Sequence, residues 1–241
     1  MILDRIAGER FSMVRPLWSG HPVVILGGGP SLTAEQFALV KAARAANAVR
    51  VIAINDSFLP APWADVCYAA DAKWFRWMQT GIAKPALGLG AAAVRERWAA
   101  FPGEKCGIEA AGHLPDDVHV LRVSHLTGAL SRDAGALSTG RQDGYAGHSG
   151  FQALNLATLA GATTILLLGY DGGPNAHGQT HFHGDHAIPT PADVWPFIAR
   201  SFSCIENELK AAGVLVINCS PVSAIGSFEK VALADALAVA A

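Results

Sequence analysis

Val23-Val24-Ile25-Leu26-Gly27-Gly28-Gly29-Pro30-Ser31-Leu32 is the stretch on which the fold turns. Four consecutive branched apolar residues read as a short strand buried on both faces, the habit of a parallel sheet. Three glycines then open a tight turn in which the backbone can approach a ligand or another chain segment closely. Thr33 with Gln36 three residues on has the form of a capping box, and Phe37 and Val40 continue at helical spacing towards Asn47. Val49 to Ile54 reads as a second strand. Strand, glycine turn, helix and strand within about 30 residues is the opening unit of a doubly wound α/β domain.

The alternation continues downstream. Val66–Ala70, Ala86–Leu89, Val118–Val123, Thr163–Leu168 and Val214–Asn218 are strand candidates. Helical stretches stand between them: one bearing Trp74 and Trp77, then Ala91–Ala100, Gly150–Leu159 and a long Pro191–Ala212, with a closing helix over Phe228–Val239. Thr127–Gly147 reads as a long loop. The expected architecture is α/β, a single Rossmann-like, doubly wound, mostly parallel sheet over residues 22–241, with helices on both faces and residues 1–21 as a helical extension.

Composition narrows the partners. Eighteen basic against 20 acidic residues leave a net charge of −2, which supplies no bulk attraction for nucleic acid or an anionic membrane. A local basic groove could still hold nucleic acid. Cys67, Cys106, Cys204 and Cys219 are far apart and lack metal or disulfide-framework spacing, so they read as reduced thiols. Neither a signal-peptide pattern nor a membrane-length apolar run stands out, and the expected location is the cytoplasm. A homo-oligomer is compatible with the sequence.

Four motifs could carry chemistry. The Gly27–Ser31 turn precedes a helix whose N-terminal dipole favours an anion, with the Ser31 hydroxyl as an added donor. A valine at Gly29 should then block a phosphate and leave the fold intact. Asn55-Asp56-Ser57 ends the second strand and Asp71 the third, where side chains of open α/β sheets meet ligands, although Asn and Asp also form ordinary turns and caps there. Ser149-Gly150 opens a helix and is a ligand contact or a plain helix start. Finally, His177, His181, His183 and His186 fall within ten residues of one another, with Asp185 among them, after the most apolar strand and Asp171. Histidine titrates near neutrality, so this loop suits a general base. Metal ligation by His181, His183, Asp185 and His186 is the less favoured reading, because their spacing matches no metal motif. A merely structural histidine loop is the third.

Taken in order, Val24–Leu32, Ile54-Asn55, Ser149-Gly150, Leu168-Gly169-Tyr170-Asp171 and Asn218–Pro221 with Phe228 resemble one family pattern. It is the Rossmann-like group of bacterial sialyltransferases, motility accessory (flagellin-glycosylation) proteins and archaeal hydroxymethyl-dihydropterin pyrophosphokinases, spread here over most of residues 22–237. The histidine loop is more like that of prophage-encoded relatives. The resemblance implies that Gly29, Ser31, Asn55 and Ser149-Gly150 hold the CMP part of a nucleotide-sugar donor; Gly27, Gly28 and Pro30 of the same turn and Asp71 at its strand end are further nucleotide-binding candidates from their positions. Tyr170 alone stands for that branch's tyrosine pair, and Asp71 stands where the branch tends to carry an Asn.

The leading expectation is therefore a transferase using a CMP-sugar type of donor, with no certain cofactor. His183 or His186 would deprotonate the acceptor hydroxyl, and Asp171 or Asp185 would orient the imidazole. The enzymatic rival moves pyrophosphate from ATP to a pterin-like alcohol and requires Mg²⁺ on Asp71 or Asp171. The non-enzymatic rival is a binding or assembly protein on the same fold.

Overall fold

The computed structural model describes residues 1–141, 147–184 and 190–240. Its centre is a nine-stranded, wholly parallel sheet. Ahead of that sheet, β1 (Leu3–Arg5) and β2 (Ser12–Val14) form a two-stranded antiparallel ribbon, in place of the expected helical extension. The ribbon is pinned rather than free: the buried Glu104 carboxylate accepts from the Ile2 and Leu3 amides at 2.7 and 2.8 Å, which holds the segment extended.

The decisive stretch then folds as read. β3 (Val23–Leu26) is wholly buried, and α1 (Ala34–Ala45) starts at Thr33 with both halves of the capping box made to Gln36. β4 (Arg50–Ile54), β5 (Val66–Tyr68), α2 (Ala72–Thr80) and α3 (Ala91–Ala99) follow. Residues Pro85–Leu87 are a 3₁₀ turn instead of the expected strand, closed by a single Lys84–Leu89 bridge. The strand next to β5 is β6 (Glu104–Ile108), and beyond it lie β7 (Val118–Ser124) and the three-residue β8 (Ala136–Ser138), the last inside the expected loop.

α4 (Ser149–Leu159) carries the chain back over the sheet to β9 (Thr164–Leu168), which pairs with β3 on the side away from β4. The expected long helix is broken into α5 (Val194–Arg200), a 3₁₀ turn at Ser203–Ile205 and α6 (Glu206–Ala211). Two hydroxyls at the break bond backward, Ser201 to the Ile198 carbonyl and Ser203 to the Arg200 carbonyl, both at the helix's expense. The break seats Phe202 against Phe151 of α4, ring centroids 5.8 Å apart. β10 (Leu215–Asn218), β11 (Glu229–Lys230) and α7 (Leu233–Ala240) complete the chain, α7 being shorter than the expected tail helix.

The strand order is β11-β10-β9-β3-β4-β5-β6-β7-β8. Alternate residues of each inner strand feed opposite cores. Val23, Ile25, Ile165 and Leu167 pack on one face, and Val24, Leu26, Leu166 and Leu168 on the other. That double burial is why these strands read as unbroken apolar runs. The order reverses between β3 and β9, so the helices that follow these strands cover opposite faces of the sheet and leave a crevice at its carboxyl edge.

Candidate functional site

The crevice is a cavity of about 230 Å³. Of the expected site residues, Gly27, Gly28, Gly29, Asn55, Ser149, Gly150, Asp171, His181 and His183 line it. Pro30 and Ser31 are not among its lining residues. Asp71 lies in a neighbouring depression with Arg141 and Gln152, where it caps α2 by accepting from the Lys73 amide at 2.8 Å. Asp185 and His186 fall outside the described residues.

The glycine turn divides its work. A β-carbon on Gly27 would sit 2.6 Å from the Gly169 carbonyl oxygen, and one on Gly29 would sit 2.0 Å from Asp171 Oδ2. These two glycines let the β3 and β9 loops lie against each other, tied by the Gly29 amide donating to the Gly169 carbonyl at 2.8 Å. Gly28 is different, because its β-carbon would meet only the edge of the His181 ring, at 3.3 Å. No acceptor for the Gly28 amide is found among the described residues.

Among the described residues Asp171 bonds to Ser31 and to no histidine, whereas the sequence suggested that it orients His183 or His186. Its Oδ2 accepts from the Ser31 hydroxyl at 2.9 Å and from the Ser31 amide at 3.4 Å. Burial pushes this carboxyl above its ordinary range, and the two Ser31 bonds oppose that rise. Asp171 thus occupies the anion position that the sequence assigned to a phosphate at Ser31. Gly28 and the first turn of α4, Ser149 and Gly150, line the cavity, and the amides of Ser149 and Gly150 have no acceptor within their own helix.

The loop after β9 is held by the Asn218–Pro221 motif. Asn218 Oδ1 accepts from the Ser220 amide at 3.0 Å, which turns the Ser220 hydroxyl to accept from the Tyr170 amide at 2.8 Å. The Tyr170 hydroxyl donates to the Gly150 carbonyl at 3.0 Å, and burial raises its pKa well above the ordinary range. It is therefore committed to bracing α4.

Asn55 leaves β4 with φ +50°, a left-handed conformation that Asn tolerates better than most residues. The twist sends Ser57 beneath the sheet edge, where its hydroxyl donates to the Gly27 carbonyl. The Asn55 Oδ1 atom is buried and has no hydrogen-bond partner among the described residues. An acceptor left unsatisfied at a cavity wall is costly unless a ligand supplies a donor. Asn55→Gly keeps the backbone conformation and deletes that acceptor. It should leave the thermal midpoint nearly unchanged and weaken ligand binding by about 1–3 kcal/mol. Equal calorimetric affinities in parent and variant would make Asn55 a turn residue only.

Sequence reading named Asp56 only as part of the Asn55-Asp56-Ser57 strand end and missed its place beside the histidines. Asp56 is 2% exposed, and three donors surround it. Trp74 Nε1–H donates to Oδ1 at 2.9 Å, Lys84 Nζ donates to Oδ2, and His183 Nε2 lies 3.5 Å from Oδ2. Burial pushes the Asp56 carboxyl up, but Lys84, by charge and hydrogen bond, together with His183 and Trp74 holds it below its ordinary range. One signal was visible. Asp56 is followed by Ser57-Phe58-Leu59, so its carboxylate continues a buried run and must find a cation.

His183 reaches Asp56 because the histidine loop docks onto the glycine turn. The Phe182 amide donates to the Gly28 carbonyl at 3.2 Å, and the Phe182 ring packs on Phe37 of α1, centroids 5.5 Å apart. The His181 and His183 rings stack at 5.1 Å on the cavity side. His177 is exposed and sits outside the cavity in a turn closed by Asn175, which accepts from its amide at 2.9 Å. Among the described residues no group of three or more His, Cys, Asp or Glu side chains could hold a metal ion, and no helix is long and apolar enough to cross a membrane.

The far wall is formed by α4 and α5. His148 caps α4, accepting from the Phe151 amide at Nδ1 (3.3 Å), so Nε2 carries the proton that meets the Ser201 hydroxyl at 2.8 Å. Trp195, Ile198, Phe202 and Ile225 make this side apolar. The site thus offers backbone amides, an unsatisfied acceptor, a carboxylate-backed imidazole and an apolar wall. No family model, curated protein or solved structure matches the chain.

Proposed function

We propose that this protein is a transferase that moves a glycosyl group from a nucleotide-sugar donor of the CMP-sugar type to an acceptor hydroxyl. The observation that carries the reading is His183, backed by Asp56, in the same switch-point cavity as Gly28 and Ser149-Gly150. Amides of a glycine turn and a helix start suit a phosphate. The Trp195–Phe202 wall suits a base or sugar face, and Asn55 Oδ1 suits a donor on the ligand. The motifs that resemble the sialyltransferase group either line this cavity or brace its loops, which supports the same reading.

The pyrophosphokinase alternative is less well supported. Mg²⁺ would have to bind Asp71 or Asp171, and these line different depressions, with Asp171 already engaged by Ser31. Thermal shift with CMP, UDP, GDP and ATP, each with and without Mg²⁺, separates the two. CMP at about 100 times its dissociation constant should stabilise the protein by about 2.7 kcal/mol, roughly 5–10 °C for a domain of this size, without Mg²⁺. Stabilisation by ATP alone, and only with Mg²⁺, would favour pyrophosphoryl transfer. No shift with any nucleotide would remove the nucleotide reading altogether.

A further inference from the structure

We propose that Asp56 is the positioning residue of the site, holding His183 as the tautomer with its proton on Nε2 and its lone pair on Nδ1. The proposal rests on His183 being the base of the reading above. Its own support is the environment of the carboxylate.

Asp56 has almost no freedom to turn. Oδ1 is fixed by the indole N–H of Trp74, and Oδ2 by the ammonium group of Lys84. Trp74 is itself clamped by edge-on contacts with Phe58, Phe75 and Trp98, all at centroid distances of 5.3–5.9 Å. The same Oδ2 faces His183 Nε2 at 3.5 Å, a separation typical of ligand-free sites that tighten on binding. An ionised carboxylate can only accept, so the imidazole nitrogen facing it must carry the proton. The other nitrogen, Nδ1, is then the basic one.

Lys84 gives the arrangement a second property. The Lys84 ammonium group pairs the Asp56 charge, so the carboxylate that faces the ring is already balanced by a cation of its own. In the step itself, the acceptor O–H proton passes to His183 Nδ1. The acceptor oxygen forms its bond to the anomeric carbon as the bond from that carbon to the phosphate oxygen breaks. The nucleotide leaves with the electron pair, and Asp56 lies next to the imidazolium that results.

The test is imidazole ¹⁵N NMR of the ligand-free protein, with His183 assigned by the loss of its signals in His183→Gln. Asp56→Asn alone strands Lys84 in the interior and could unfold the chain. The informative variant is therefore the charge-balanced Asp56→Asn/Lys84→Met. The introduced carboxamide keeps its oxygen on Trp74 and turns its NH₂ towards His183, which should move the ring proton from Nε2 to Nδ1. With CMP-N-acetylneuraminate as the donor probe, kcat should fall about 10²–10⁴-fold at nearly constant KM, the usual result of a wrong tautomer. A parent His183 protonated on Nδ1, or a tautomer unchanged in the double variant, overturns the proposal. A parent that turns over no donor counts against the glycosyl reading, while the NMR result still decides the role of Asp56.

Discussion

Gly29→Val is expected to dismantle the cavity rather than merely to block it, lowering stability by about 3 kcal/mol. The first β-carbon alone would stand 2.0 Å from Asp171 Oδ2 and 2.6 Å from the Gly169 carbonyl oxygen. Neither neighbour can yield cheaply. Asp171 is held by Ser31 through its side chain and by the Ala224 amide through its carbonyl at 2.6 Å, and Gly169 is backbone. A domain of this size should lose roughly 6–12 °C in thermal midpoint. Here the structure corrects the sequence expectation of a folded variant that has lost only its phosphate. The variant that separates the two effects is Gly28→Ala, whose added carbon meets only a side-chain edge at 3.3 Å. It should melt within about 2 °C of the parent and bind nucleotide at least about tenfold more weakly, near 1.4 kcal/mol. Equal melting of the two variants would refute this division of labour. Unchanged affinity in Gly28→Ala would take the turn out of the ligand's surface.

What could be read in advance follows from burial. β3, β4 and β9 are covered on both faces, so Val23–Leu26, Val51–Ile54 and Ile165–Leu168 carry unbroken apolar runs and were legible. β6 is equally central but reads Glu-Lys-Cys-Gly-Ile. Glu104 is spent on the amides of Ile2 and Leu3, and Lys105 on Asp117 at 2.5 Å and the Trp98 face. Partners outside the strand satisfy its charges, and a local pattern cannot show them. The broken helix after Val194 is a similar case, since the break serves Phe202 and the Ser201–His148 bond within the far wall of the cavity.

The site divides along the same line. Gly28, Asn55, Ser149 and His183 were legible because strand ends and helix starts of an open sheet face its crevice. The partner of His183 was not. Asp171 and Asp185 flank the histidines in sequence and so suggest themselves, yet Asp56 reaches the ring from the end of β4, 127 positions earlier. Its counter-ion Lys84 stands just before the 3₁₀ turn after α2, where the apolar run Ala86–Leu89 suggests a strand. Such a network depends on how the helices settle on the sheet, and sequence proximity is a poor guide to it.

Acid should weaken the protein through His148, and His148→Asn should remove that part of the loss. Burial among Phe151, Phe197 and Phe202 pushes the His148 pKa down to about 4, from an ordinary value of 6.5. Below pH 6.5 the unfolded chain takes up a proton at this residue, while the folded chain does not until about pH 4. The unfolded state therefore binds more protons within that window, so stability falls as pH drops through it and levels off below. At pH 4.5 the expected loss from this group is about 2–3 kcal/mol relative to pH 7. Asparagine is a good N-cap and cannot be protonated in this range, so it should keep α4 while flattening the acid slope. At pH 7 the variant should be somewhat less stable, having lost the Ser201 bond and ring packing. The two curves should approach each other as pH falls. Urea unfolding of both proteins at pH 7.0, 5.5 and 4.5 reads the difference directly, because the other titrating groups are common to both. Parallel curves across the three pH values would mean that His148 is not held neutral, and that the α4–α5 wall admits charge at the cavity's edge.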